Sequence, residues 1–286
     1  MSARLQNRIA IVTGAASGIG RAIALRYAAE GAKVMCADLT ESTCRVDSPS
    51  DEARDSTHAR IVASGGTATF VQCDVTDAAS IDALIKQTVE LHGRLDIMVN
   101  NAGIAPESSS PAPIWATTLE TYRQTLRVNL DGVYYGTRAA AAQMITQDPV
   151  NSHGDRGWIL NTCSVYGLVG SRHASAYATS KGGVASLTRS AALDCAPYGV
   201  HVNAVNPGYV KSHLTDAVFK SEDPGVKQAA EQIKGMHPLH GVGNPEDVTG
   251  AYVFLASDDA SWMTGVSWRA VFNLSLLLVR RDCIFC

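Results

Sequence analysis

Tyr177 and Lys181 are the two side chains whose types and spacing point first to chemistry. On a helix, a separation of four residues places the phenol and the ammonium on one face, one turn apart. A free tyrosine hydroxyl has a pKa of about 10, and a neighbouring cation favours the phenolate. We therefore expect Lys181 to pull the Tyr177 pKa toward the working pH, as acid–base catalysis requires. An ordinary pair on a helix surface has the same spacing, so the pair alone does not establish an active site.

A glycine-rich turn near the N-terminus offers a place to bind phosphate groups. It joins a predicted strand, Arg8–Val12, to a predicted helix, Arg21–Glu30, and its glycines are Gly14, Gly18 and Gly20. Glycines allow a tight turn and a close approach of a pyrophosphate, and the helix start adds free N–H groups and a positive dipole end. The spacing differs from the GxGxxG dinucleotide fingerprint, and a purely structural turn is the alternative interpretation.

The residue that ends the second predicted strand, Asp38, bears on which dinucleotide would bind. It lies 18 positions after Gly20, where an acidic side chain can accept hydrogen bonds from the adenosine ribose hydroxyls. The same carboxylate repels a 2′-phosphate, and Ala15, Ala16 and Leu39 supply no compensating positive charge. This favours NAD over NADP as the cofactor. A solvated loop aspartate is the other interpretation.

Strand and helix patterns alternate along most of the chain. This alternation predicts an α/β fold with one doubly wound, Rossmann-type parallel sheet and helices on both faces. We predict one domain over residues 1–267, interrupted by two polar surface loops, Thr40–Thr57 and Gln147–Gly157. The remaining predicted strands are Lys33–Ala37, Thr69–Gln72, Ile97–Val99, Trp158–Asn161 and Val200–Val205, and the remaining predicted helices are Ser80–His92, Leu119–Met144 and Ala176–Ala196.

The composition excludes several classes of protein. Of 286 residues, 46% are hydrophobic and 18% are charged, which is typical of a globular chain, and the net charge of −3 argues against a nucleic-acid partner. The N-terminus shows no secretory signal, and the apolar run Leu276–Val279 is far shorter than the roughly 20 residues that span a bilayer. We expect a cytoplasmic protein without a membrane partner, with reduced cysteines and no metal site.

Taken together, the motifs resemble those of the short-chain dehydrogenase/reductase family over about residues 5–265. Ser164 lies 13 positions before Tyr177, as that family's serine does, and Asn129 matches its helix asparagine. Four further segments match family motifs in the family's order: Thr13–Gly20 (TGxxxGxG), Asp74–Val75 (the pair at adenine), Asn100–Gly103 (NNAG) and Asn206–Gly208.

The resemblance implies a role for each of four catalytic residues. Tyr177 would donate or accept the proton at the substrate oxygen, and Ser164 would hydrogen-bond that oxygen. Lys181 would lower the Tyr177 pKa and hold the nicotinamide ribose. Asn129 would distort its helix locally and hold a water in a proton relay. The implied reaction is NAD-dependent hydride transfer between a secondary alcohol and a ketone.

The resemblance also implies the residues that contact the cofactor and the way copies assemble. The segment Phe219–Pro238 would form a mobile lid over the substrate. A homodimer or homotetramer would form through the helices that carry Asn129 and Tyr177. The implied cofactor-binding residues are Gly14, Ser17, Gly18, Ile19, Gly20, Asp38, Leu39, Asp74, Val75, Asn101, Ala102, Gly103, Tyr177, Lys181, Pro207, Gly208, Val210 and Ser212.

The end of the chain departs from the family pattern. The family continues its last strand into an Asp-Gly-Gly turn, whereas this sequence has none, and residues 268–286 form an atypical tail. Val266–Phe272 still has the pattern of an edge strand. Two functional interpretations therefore stay open: an active dehydrogenase, or an NAD-binding protein with little or no turnover because of its altered C-terminus.

Overall fold

The computed structural model describes residues 3–42 and 56–269, and within them seven parallel strands form one sheet. The sheet order is β3-β2-β1-β4-β5-β6-β7. The strands are β1 (Ile9–Thr13), β2 (Lys33–Asp38), β3 (Thr67–Gln72), β4 (Ile97–Asn100), β5 (Gly157–Thr162), β6 (Val200–Asn206) and β7 (Ser267–Arg269).

Helices cover both faces of this sheet, which confirms the predicted Rossmann-type α/β fold. The described helices are α1 (Gly18–Ala29), α2 (Thr57–Ala63), α3 (Ala78–His92), α4 (Leu119–Leu126), α5 (Gly132–Met144), α6 (Ser175–Cys195), α7 (Asp216–Phe219), α8 (Pro224–Gly235) and α9 (Thr249–Leu255).

The central strands of the sheet are buried on both faces, which is typical of a parallel sheet. Every residue of β1, β4, β5 and β6 is buried, as expected for strands that helices cover on each side. Successive residues alternate between two cores. Ala10 and Val12 of β1 pack with Tyr27 on one side, whereas Ile11 packs with Leu84 on the other.

Three segments differ from the predicted elements. The predicted helix Leu119–Met144 is divided by a π-helical turn at Arg127–Asp131, between α4 and α5. Helix α2 was not predicted, because the polar segment around it gave no helical periodicity. The predicted lid, Phe219–Pro238, contains the regular helix α8 and begins at the last residue of α7.

The two predicted surface loops have different outcomes. Most of Thr40–Thr57 lies outside the described residues. The loop Gln147–Gly157 is partly exposed, but its end is not a surface segment: Asp155 is 5% exposed and Gly157 starts β5. The burial of Asp155 is compensated by a hydrogen bond of 2.7 Å between its carboxylate and the imidazole of His201.

The C-terminal part of the chain is described as far as Arg269. Strand β7 pairs with β6 within the predicted edge strand Val266–Phe272, whose last three residues lie outside the described residues. Nearly all of the predicted tail, 268–286, also lies outside them, so the domain boundary at residue 267 stays a prediction. In the part of the chain that is described, no helix combines the length and the apolar character that crossing a membrane requires.

Candidate active site

The carboxyl ends of the central strands border a cavity of about 510 Å³. Open α/β sheets bind their ligands at this edge, where the strand order reverses between β1 and β4. Every predicted cofactor-binding residue except Gly20 lines the cavity. These residues are Gly14, Ser17, Gly18, Ile19, Asp38, Leu39, Asp74, Val75, Asn101, Ala102, Gly103, Tyr177, Lys181, Pro207, Gly208, Val210 and Ser212.

Gly20 does not line the cavity, but it allows the two sides of the glycine turn to approach each other closely. A Cβ atom at this position would lie 2.1 Å from the Gly14 carbonyl oxygen, so a larger residue would force the backbone apart. Gly14 itself has a φ of +66°, a conformation that favours glycine. The Ser17 side chain, at the N-cap of α1, makes no capping hydrogen bond, so the first-turn N–H groups of α1 stay available at the cavity.

Asp38 lines the same cavity and also holds the turn in place. One carboxylate oxygen accepts a hydrogen bond from the Ala16 N–H at 2.9 Å, and the other accepts from the Leu39 N–H at 2.8 Å. An ionised carboxylate can accept about four hydrogen bonds, so each oxygen keeps an acceptor site. The side chain therefore both braces the structure and offers acceptors to a ligand.

Thr13 is a site-building residue that the predicted set left out. Its hydroxyl accepts hydrogen bonds from the N–H groups of Asn101 at 2.9 Å and Ala102 at 3.1 Å. The Asn101 amide donates back to the Thr13 carbonyl at 3.0 Å. These contacts tie the segment after β4 to the glycine turn after β1. The Thr-Gly pair that begins the turn is visible in the sequence. The role of the Thr13 hydroxyl is not, because its partner lies 88 positions away.

Ser164, Tyr177 and Lys181 come together at the inner end of the cavity. Ser164 follows β5, and its hydroxyl accepts a hydrogen bond from the Tyr166 N–H at 3.2 Å, while Tyr177 of α6 lines the same cavity. The Lys181 ammonium lies 5.7 Å from the centre of the Tyr177 ring and donates a hydrogen bond to the Thr162 carbonyl at 2.8 Å. A backbone carbonyl leaves no mark in the sequence, so this partner of Lys181 was not predictable.

Burial is the largest influence on the pKa values of Tyr177 and Lys181. Burial raises the pKa of Tyr177 to about 12, although the neighbouring Ser164 hydroxyl acts in the opposite direction. Burial also lowers the pKa of Lys181 to about 8. The expectation that Lys181 would bring the Tyr177 pKa down is therefore wrong for this arrangement, because removal from water is the largest influence on both groups and disfavours both charged forms.

Asn129 lies in the π-helical turn, so the distortion that the resemblance implied is present. Its amide is fully buried and exchanges two hydrogen bonds of 2.8 Å with the backbone of Ile104. It also donates to the Ser180 hydroxyl at 3.2 Å. Asn129 does not line the cavity, and its predicted relay role stays a prediction.

A second cavity, of about 620 Å³, meets the first at Ser164 and Tyr177. Its walls include the Tyr166 and Tyr209 rings, whose hydroxyls are 3.0 Å apart, and apolar side chains from α8. Thr215, a residue outside the predicted set, lines both cavities and donates to the Val210 carbonyl at 2.9 Å. The geometry thus offers two adjoining sites that share Ser164, Tyr177 and Thr215, and the second site is the more apolar of the two.

Comparison with protein families gives one match over most of the chain. The family model described as enoyl-(acyl carrier protein) reductase matches residues 14–269. This range begins at the glycine turn and ends with β7, so it contains both cavities.

Individual proteins match over nearly their full length. The chain is 37% identical over 274 residues to the NADP-dependent (R)-specific alcohol dehydrogenase of Lentilactobacillus kefiri, covering 94% of this chain and 96% of that protein. It is 35% identical to the cyclohexanol dehydrogenase of Acinetobacter sp. (strain SE19), covering 93% and 94%. A solved structure of a short-chain type dehydrogenase/reductase from Mycobacterium marinum aligns with a TM-score of 0.78 and 31% identity, covering 93% and 95%.

Proposed function

The chain belongs to the short-chain dehydrogenase/reductase family, and on that premise we propose that it interconverts a secondary alcohol and its ketone with NAD as cofactor. The observation that carries the proposal is that Ser164 and Tyr177 both line the place where the two cavities meet. A substrate oxygen at that point reaches both hydroxyls from the second cavity. The nicotinamide end of a dinucleotide would reach the same point from the first.

The residues of the first cavity are suited to a dinucleotide. The free N–H groups at the start of α1 would hold the pyrophosphate, and Asp38 would accept hydrogen bonds from the adenosine ribose. Asp74 and Val75 would border the adenine, and Lys181 and Ser212 the nicotinamide end. When bound, the nicotinamide supplies the hydride acceptor or donor of the reaction.

The chain's own residues would transfer the proton and stabilise the charges that develop. With its pKa raised to about 12, Tyr177 holds its proton at neutral pH and is ready to donate it to a ketone oxygen. Ser164 donates a hydrogen bond to the same oxygen and stabilises the charge that develops there. Lys181, with a pKa of about 8, is mostly protonated at pH 7 and compensates the phenolate that remains.

Replacement of Tyr177 tests this assignment. Tyr177→Phe should lower kcat by at least about 10³-fold, because the hydroxyl that donates its proton to the substrate oxygen is lost. NADH binding, followed by fluorescence, should be retained. Tyr27→Phe is the matched control, since it removes another buried phenol, which hydrogen-bonds a backbone carbonyl at 3.0 Å. Activity in Tyr177→Phe equal to that of the control would refute the proposal.

The preference for NAD needs its own experiment, because one relative is NADP-dependent by name. The support for NAD is the Asp38 carboxylate in the cavity, which would repel a 2′-phosphate. Asp38→Asn keeps an acceptor for the Ala16 N–H but removes the charge, so it should shift the kcat/KM ratio toward NADP by about tenfold or more. Comparable turnover of the unaltered chain with NAD and NADP would overturn the NAD assignment.

Assembly and location complete the proposal. We expect the protein to be cytoplasmic. We also expect a homodimer or homotetramer, because Tyr134 on α5 and Leu193 on α6 are 52% and 78% exposed on the helices that would form the interface. Light scattering on the purified chain measures the assembly. The alternative of cofactor binding without turnover depends on residues outside the described part, and a panel of secondary alcohols with NAD decides between the two.

A further inference from the structure

We propose that Glu107 is a positioning residue that sets Tyr177 against Ser164, an inference that rests on the proposed roles of those two residues. Glu107 lies in a short 3-10 turn, Pro106–Ser108, after the segment that follows β4. It is only 4% exposed, which is unusual for a carboxylate unless it is fully paired.

The partners of Glu107 are all at the start of α6. One carboxylate oxygen accepts from the Ala176 N–H at 3.1 Å and the Ser175 hydroxyl at 3.4 Å, and the other accepts from the Tyr177 N–H at 2.9 Å. Glu107 therefore binds the backbone of the tyrosine itself. The two residues are 70 positions apart in the sequence.

Helix α6 needs this distant partner because its own sequence does not cap it. The N-cap residue is Ala174, which has no side-chain acceptor, whereas helix N-termini usually use Ser, Thr, Asp or Asn. The residue before it, His173, has a φ of +58°, so the chain enters the helix through a left-handed conformation. A buried carboxylate at this end satisfies the free N–H groups and complements the positive end of the helix dipole.

A second contact fixes the same loop to α6 one turn further along. The Asn129 amide binds the backbone of Ile104 and the Ser180 hydroxyl, as described above. The loop from Ile104 to Glu107 is thus attached to α6 near both Tyr177 and Lys181. Ser164 is fixed separately at the end of β5, so the first turn of α6 determines how far the Tyr177 hydroxyl lies from it.

Hydrogen exchange tests the structural half of the proposal without any substrate. In Glu107→Ala, the amides of Ala176 and Tyr177 should exchange at least about tenfold faster than in the parent, because their acceptor is gone. Asp96→Ala is the matched control: Asp96 is 2% exposed and accepts from the Ile9 N–H at 2.8 Å, but at the opposite edge of the sheet. Unchanged exchange at Ala176 and Tyr177 would overturn the proposal.

Steady-state kinetics test the functional half. Glu107→Ala should lower kcat by about 100-fold, the size of effect that a displacement of about 1 Å produces, with NADH affinity within about threefold of the parent. Glu107→Gln, which keeps one acceptor oxygen, should recover about tenfold of that loss and guards against a misfolded alanine variant. Asp96→Ala should lose thermal stability without this loss of kcat.

The outcomes separate this inference from the proposed function. Equal kcat values in Glu107→Ala and Asp96→Ala, with an active parent, contradict the positioning role. A parent that turns over no alcohol contradicts the proposed function instead, and the exchange measurement still decides whether Glu107 holds the first turn of α6.

Discussion

Polar side chains are buried differently at the two ends of the strands, which are the amino edge and the carboxyl edge of the sheet. At the amino edge, the groups pair with one another: the His201 ring lies between the Asp155 carboxylate and the Met263 carbonyl, and stacks on Trp158 with ring centres 5.8 Å apart. At the carboxyl edge, Ser164 and Tyr177 border two cavities, and Lys181 borders the first of them. The amino edge is built for stability, whereas the carboxyl edge keeps polar atoms available to ligands.

The largest expected effect that separates the edges is on activity. Lys181→Met should lower kcat by about 10³-fold, yet its melting temperature should be no lower than that of the parent, because burial already disfavours the charged ammonium. The control is Lys86→Met on α3, whose side chain is 77% exposed and should alter neither quantity. A marked loss of stability in Lys181→Met would show that the carboxyl edge is also stabilised by its charges.

The reverse result is expected at the amino edge. Asp155→Ala should lower the free energy of unfolding by about 3 kcal/mol, because it leaves the buried His201 without its carboxylate partner, while kcat stays within about twofold. Urea unfolding and initial rates measure the two quantities. Asp82→Ala, which breaks an exposed pair with Arg138, should change stability by less than about 1 kcal/mol. A fall in kcat in Asp155→Ala would mean that the two edges are coupled.

The smallest effect is a dependence of stability on pH. The Lys181 pKa is lowered from 10.5 to about 8 in the folded chain, so between these values the unfolded chain binds more protons and the stability contribution of this group rises with pH. The slope should reach at most about 1.4 kcal/mol per pH unit. Denaturant unfolding of the parent and of Lys181→Met at pH 7.5, 8.5 and 9.5 measures it as the difference between the two slopes, in which the opposite contribution of the buried cysteine thiols, whose pKa values burial raises, cancels. An identical slope in that variant would contradict the burial of the charge.

The sequence was sufficient wherever the signal was local. The apolar runs that became β1, β4, β5 and β6 predicted a parallel sheet, and the glycines after the first strand predicted a tight turn there. Membership of the family was also predictable, since its motifs are short and ordered.

What the sequence did not predict depends on contacts between distant segments. Glu107 carries no motif, because its partners lie about 70 positions away, and the predicted helix start at Ala176 placed Ser175 in the cap position, whereas the structure starts α6 at Ser175 and leaves Ala174 as its N-cap. The direction of the Tyr177 pKa was missed for the same reason. The spacing to Lys181 is visible in the sequence, whereas the burial that outweighs it is a property of the packed chain.

The helix α8 has a consequence for how such enzymes diversify. Val226, Ala229 and Ile233 line the second cavity and not the first, and they all come from this one helix. Mutations in this short stretch of sequence can therefore reshape part of the proposed substrate cavity while they leave the lining of the proposed dinucleotide cavity unchanged.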